Sequence, residues 1–253
     1  MGIWILLIAW FSVIMGFVSR SNADVLCSQI VIQISDSSQV SFINSDAVRN
    51  VIKNSGINTQ GYPVEEIQTR ELERLLEKNP YVQNAEVYID VEGDLFVDIA
   101  QRKPLIRIMP GGKQGYYIDQ DAFILPLSDS YSPMVLLLTG KIAFPEYVDE
   151  NGKRRADIAS SIELRELLDF AGYVQEHEFW NTQIVQLYRS ARGEYEIIPR
   201  VGAHQIQFGN MDDYEQKLMN LKLLYDQGLK QYGWNKYDKI NLKYSNQIIC
   251  TKR

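Results

Sequence analysis

The 253-residue chain is poor in the residues that do metal and redox chemistry: it has two cysteines, Cys27 and Cys250, and two histidines, His177 and His204. Two cysteines make no disulfide framework, and without a C-x-x-C pair they hold no structural zinc. Catalytic signatures are missing too: there is no G-x-S-x-G, P-loop, G-x-G-x-x-G or H-E-x-x-H. Pro110-Gly111-Gly112-Lys113 is Gly-rich but lacks phosphate-loop spacing, so it reads as a plain loop. A cationic surplus is also lacking. The net charge of −6 argues against a general nucleic-acid binder, because phosphates need a basic surface. The charge is uneven, since residues 200–253 carry nine Lys/Arg against five Asp/Glu and the rest is strongly acidic.

The remaining polar candidates have ordinary roles. His177 and Glu178 are neighbours, and on a helix neighbours point about 100° apart, which suits a surface pair better than an acid/base couple. His204 has no cysteine or serine motif beside it. Asp119 and Asp121 raise a calcium reading, but no Asp-Gly continuation or bidentate Glu follows, so a turn is expected. No metal, cofactor or small-molecule substrate is called for, and the chain is not expected to be an enzyme.

What is present starts at the N-terminus. Fourteen of the sixteen residues from Ile3 to Val18 are apolar, and no charged side chain precedes Arg20. As a helix, residues 2–19 come close to the roughly 30 Å apolar core of a bilayer. A single-pass anchor is the first reading. A cleaved signal ending at Ser21-Asn22-Ala23 is the rival, and a buried core helix the third. Either of the first two puts the remaining residues outside the cytoplasm.

Beyond Asp24 the hydrophobic period changes repeatedly. Val25–Ile34 reads as a strand. Asn44-Ser45-Asp46 caps a helix with Ala47, Val48, Val51 and Ile52 on one stripe, ended by Gly56. A second helix, about Glu65–Lys78, turns Ile67, Leu72, Leu75 and Leu76 inward and stops at Pro80. Strands Val82–Asp90 and Leu95–Gln101 follow, joined by the turn Val91-Glu92-Gly93-Asp94. Strand–helix–helix–strand–strand makes a small α+β domain with three strands under two helices.

Further on, Tyr116–Pro126 reads as a hairpin and Met134–Thr139 as a buried strand. A helix spans Asp157 to about Gln175, with Ile158, Ile162, Leu167, Leu168 and Ala171 inward. Strands are expected at Gln183–Tyr188, Glu194–Ile198 and Gln205–Phe208, then a helix Asp212–Lys230 stopped by Gly233. Lys239–Tyr244 and Gln247–Cys250 close the chain. In Lys239–Tyr244 the alternation assigns Ile240, Leu242 and Tyr244 to the core face.

Two stretches carry a family resemblance. The first runs from Asn79-Pro80-Tyr81-Val82-Gln83-Asn84-Ala85-Glu86-Val87 through Leu95-Phe96-Val97-Asp98-Ile99 to Arg102-Lys103-Pro104. It resembles the POTRA (polypeptide-transport-associated) domain of FtsQ/DivIB cell-division proteins. Pro80, Val82, Ala85, Val87, Leu95, Val97 and Pro104 carry the motif, and Pro104 is expected to stop regular continuation of the last strand. Ala100-Gln101 departs from the family, which usually has an acidic residue before the arginine. The second stretch, Tyr116-Tyr117-Ile118-Asp119 to Leu125-Pro126, is similar to the FtsQ β-domain hairpin, with Ala122 in its usual glycine position.

The resemblance implies a membrane anchor and short flank (residues 1–23), a POTRA domain (24–103) and a β-rich domain with two long helices (104–253). It implies a bitopic scaffold of the cytoplasmic membrane at the division site, N-terminus inside and bulk periplasmic. Its partners would be other division proteins, including small coiled-coil proteins like FtsB and FtsL. A transport accessory with a POTRA domain, or a secreted enzyme or binding module, are the alternatives. The implied docking edge is Lys243–Ile249, where a partner strand would add beside Lys243, Tyr244, Asn246, Gln247, Ile248 and Ile249. Tyr244 is its anchor and Ile248 the second contact. Both cysteines are expected to be free thiols.

Overall fold

The computed structural model describes Trp10 and residues 25–35, 40–112, 114–244 and 247–253. The expected anchor, residues 2–19, lies outside these apart from Trp10. Among the described residues no helix is long and apolar enough to cross a membrane. The chain divides into two compact units, one ending at Arg102 and the other running from Lys103 to Arg253.

In the first unit, strand β1 (Ile30–Ser35) is followed by helices α1 (Ser45–Asn54) and α2 (Thr69–Glu77), then strands β2 (Val82–Ile89) and β3 (Leu95–Gln101). The sheet order is β1-β3-β2: β1 runs parallel to β3 with Ile32 opposite Val97, and β2 runs antiparallel with Val87 opposite Val97. Val48 and Ile52 of α1 and Leu72 and Leu76 of α2 are buried with Val82, Ala85, Val87, Leu95, Val97 and Ile99. Val82 and Ala85 are three residues apart, so both can face inward only where the pleat is interrupted. The register shifts between Val82 and Asn84, a bulge that absorbs the extra residue.

Three expectations change here. The strand expected from Val25 begins at Ile30, because Cys27 and Val25 bond to the loop at Gly61–Val64: Cys27 N–H donates to Tyr62 O at 2.9 Å and Val64 N–H to Val25 O at 3.0 Å. The second helix starts at Thr69, since Val64–Glu66 forms a separate 3-10 turn and Ile67 is extended. Val51 is exposed, leaving a narrower apolar stripe of Val48 and Ile52.

The second unit opens with strands β4 (Pro104–Pro110), β5 (Tyr116–Asp119), β6 (Ile124–Pro126) and β7 (Leu136–Gly140), then the small hairpin β8 (Glu146–Val148) and β9 (Arg154–Ala156). Helices α3 (Ile162–Glu176) and α4 (Glu178–Gln183) lead to β10 (Ile184–Arg189), β11 (Tyr195–Pro199) and β12 (Gln205–Gly209). Helix α5 (Tyr214–Leu223) continues through a π-helical stretch, Leu224–Leu229, into α6 (Lys230–Tyr232), before β13 (Tyr237–Asn241) and β14 (Ile249–Lys252). Nine strands form one sheet in the order β14-β13-β12-β11-β10-β7-β4-β5-β6. Leu164, Leu167, Phe170 and Ala171 of α3 and Leu218 and Leu221 of α5 belong to one core with Ile108, Leu138, Leu187, Ile197, Phe208 and Ile240 of the sheet.

As expected, β3 does not continue through Pro104: it stops at Gln101, and Pro104 belongs to a new strand. It opens β4, where a proline is tolerated as the first residue of a strand. Met134 and Ile162, read as inward, are both exposed. The strand with Met134 begins only at Leu136, and α3 begins at Ile162 because the Ser161 hydroxyl accepts the Leu164 N–H at 3.2 Å. The Asp157 carboxylate instead accepts the Ser160 N–H at 3.2 Å, which closes a separate turn.

Candidate partner-binding edge

β14 is the outermost strand on one side of the nine-stranded sheet, and among the described residues no strand pairs with its outer edge. It pairs antiparallel with β13, Ile240 opposite Cys250 and Asn241 opposite Ile249. β13 in turn runs parallel to β12, with Ile206 opposite Ile240. Ile240 is fully buried and Cys250 packs on the core behind it. Ile249 is 45% exposed, so the strand has one apolar side chain available to a ligand. The Arg253 N–H donates to Lys236 O at 3.2 Å. Alternation along β14 then points the N–H groups of Cys250 and Lys252 away from β13, toward solvent.

Arg253 fixes this edge from its end. Its Nη2 donates to Ala203 O at 2.6 Å. Next to Ala203 is His204, buried under the Tyr225 and Trp234 rings, with Nε2 and the Tyr225 hydroxyl 3.0 Å apart. Burial, and secondarily the Arg253 charge, hold the His204 imidazole below its usual pKa, so it is neutral at neutral pH. Burial also pushes the Cys250 thiol up, which keeps it protonated and weakly nucleophilic. Cys250 and Cys27 are both free, and Cys27 is buried in the first unit.

The residues expected to line the edge are spread differently. β13 ends at Asn241, not Tyr244, because the Asn241 carboxamide accepts the Lys243 N–H at 2.9 Å and turns the chain out of the sheet. Leu242 stays buried, but Tyr244 is 52% exposed and not on the core face. Lys243 lies in the connection with its ammonium 2.7 Å from Glu194. Asn246 lies outside the described residues. Gln247 and Ile248 precede β14, Ile248 packs partly on the core, and Ile249 is the first residue of the strand. Sequence reading missed Thr251 and Lys252, the strand's second half, because a short edge strand with one buried side carries little hydrophobic period.

The Asp119 carboxylate is buried and accepts the Asp121 and Phe123 N–H groups at 3.0 and 2.8 Å, so it organises the β5–β6 turn. Among the described residues no cluster of His, Cys, Asp or Glu could hold a metal ion. His177 separates α3 from α4, and Glu178 begins α4.

The family model described as FtsQ/DivIB, C-terminal related, matches residues 103–251, from just before β4 into β14. The chain belongs to this FtsQ/DivIB-related family. A POTRA-like domain model matches residues 25–100, the unit with the β1-β3-β2 sheet. The two domains together mark a cell-division protein of mixed α/β architecture, in a family of non-enzymatic scaffolds. No curated protein matches the chain in a sequence search.

Proposed function

We propose that this FtsQ/DivIB-related protein is a bitopic scaffold of the division site. In this reading residues 2–19 anchor it in the cytoplasmic membrane, and its outer domains recruit and hold other division proteins. The POTRA-like unit contributes to recruitment. The β-rich unit grips a partner by strand addition at β14, with a short segment of an FtsB- or FtsL-like coiled-coil protein as the expected strand. One observation carries it: β14 has an unpaired outer edge among the described residues, and the family model matches the chain as far as residue 251 of that strand. Main-chain hydrogen bonds to such an edge supply affinity, and Ile249 and Tyr244 supply apolar contact. The exposed Lys239 and Lys252 suit an acidic partner segment.

The test is Lys252→Pro. It removes one outward N–H without touching the β13 pairing, so co-purification of membrane partners with the full chain should be lost while the melting temperature stays within about 2 °C of the parent. Tyr244→Ala should weaken capture about tenfold, a typical loss for an aromatic hot spot. Normal capture by both variants defeats the edge-docking reading. Carbonate-resistant membrane association of the full chain tests the anchor independently.

A further inference from the structure

Away from the β14 edge, helices α3, α4 and α5 line an open cavity of about 680 Å³. Its walls include Tyr173 and His177 from the end of α3, Trp180 from α4, and Tyr214 and Met219 from α5. The rings are in mutual contact: Tyr173 meets Tyr214 edge-on at 5.4 Å, His177 lies 5.8 Å from Tyr173, and Trp180 lies 6.2 Å from His177. Around this aromatic floor stand Glu166, Asp212, Asp213 and Glu215, against one cation, Lys222. Lys222 is already engaged: its ammonium is 3.0 Å from Asp226 and lies over the Phe179 ring at 4.4 Å. The Tyr214 phenol is pushed up by burial and then by the negative charges of Glu215 and Asp169.

The acids are not consumed in holding α5. Asp213 is the residue before the helix, yet its side chain makes no capping bond. Asp212 accepts a bond from Asn210, which leaves its charge in place. The neighbouring Lys217 is buried and donates to Asn210 O and Oδ1 at 2.9 and 3.0 Å; Asp212 and Asp213 also attract its charge, so it offsets part of the rim and leaves four carboxylates against two ammonium groups. Half-buried tyrosine rings beneath a net-negative rim match a cation on a flat or flexible stem, because ring quadrupole and carboxylates attract the same charge. An apolar groove alone would accept any hydrophobic segment; this charge pattern does not.

We infer that the α3–α4–α5 cavity is a second docking site, one that takes an arginine-bearing basic segment of a partner protein. The arginine guanidinium stacks on Tyr173 and Tyr214 and is held by Asp212, Asp213 and Glu215. The site shares no residue with the β14 edge, so the scaffold can hold an acidic strand and a basic segment at once.

The test uses the full chain in detergent and fluorescence anisotropy of a labelled Gly-Arg repeat peptide, beside the same peptide with citrulline for arginine. The arginine peptide is expected to bind and the citrulline peptide to bind at least tenfold more weakly. Tyr173→Leu keeps every charge and should weaken the arginine peptide about tenfold, as loss of a desolvated cation–π contact does. The pair Asp212→Asn and Asp213→Asn should do likewise; asparagine tolerates the left-handed backbone at position 213, so the fold is kept. Glu92→Gln, in the other unit, removes an acid without effect, and Lys252→Pro also leaves this binding intact. Failure of the arginine peptide to bind overturns the inference. So does equal binding of the citrulline peptide, or wild-type affinity in Tyr173→Leu.

Discussion

The two ends of the nine-stranded sheet handle the same problem in opposite ways. At β6 the edge is short and finishes at Pro126, and the β8–β9 hairpin is fastened to the turn that leads into it. Phe123 bridges to Arg155, the Ala156 N–H donates to Ala122 O at 2.8 Å, and the Arg155 guanidinium donates to Asp121 O at 2.7 Å while lying over the Phe123 ring. At β14 no strand or hairpin among the described residues does this work. An uncovered edge is an aggregation hazard that folded proteins ordinarily suppress. The two terminal strands therefore differ in what lies beside them: β6 has the hairpin, and β14 has none among the described residues.

Changing each end, and the middle between them, sharpens this contrast. The largest effect belongs to the middle: Leu187→Ala in β10 empties a fully buried site and should cost about 3 kcal/mol, lowering the melting temperature by about 6–12 °C while both edges persist. Next is the β6 edge. Replacing residues 146–156 with a short Gly-Ser linker should open β6 and produce concentration-dependent self-association by light scattering; a variant that stays monomeric at high concentration denies the hairpin a covering role.

The third prediction concerns the fastening at β14. His204 has a folded pKa below its ordinary 6.5, so the unfolded chain takes up the proton first. Its stabilising contribution is complete above pH 6.5 and is lost as pH falls through the lowered folded value. Hydrogen exchange in β13 and β14 should therefore accelerate more than in β5 and β6 between pH 7.5 and 5.5, and His204→Gln should remove the difference. The smallest effect is expected at the β5–β6 turn. Ala122 has φ +63° and is buried, so Ala122→Gly relieves about 1 kcal/mol of left-handed strain but gives up a buried methyl worth about 0.8 kcal/mol and adds chain entropy. The terms nearly cancel, and calorimetry should find a melting temperature within about 3 °C of the parent.

The first unit was largely legible before any coordinates. Its helices bury simple stripes, and the 82–101 hairpin alternates cleanly apart from the bulge at Val82–Asn84. The second unit hid what has no period. β8 is exposed at all three positions, β4 begins and ends with proline, and the residues between form a nearly continuous apolar run. α4 is a six-residue helix directly behind α3, and His177 between them marks the break only through its extended backbone. The end of β13 is hidden in the sequence, because Ile240-Asn241-Leu242-Lys243-Tyr244 alternates although Asn241 turns the chain away. The aromatic cavity gave no linear signal, since Tyr173, Trp180 and Tyr214 meet only once α3, α4 and α5 pack.

The parallel pairing of β12 with β13 also governs the order of events during folding. Gly209 and Tyr237 are joined through α5, the π-helical stretch and α6, so β13 cannot join its neighbour by a tight turn. Such closures form late because the ordering entropy precedes the contacts that offset it. β14 joins the nine-stranded sheet only through β13. A finished β14 edge is therefore a sign that the helices between β12 and β13 are already seated.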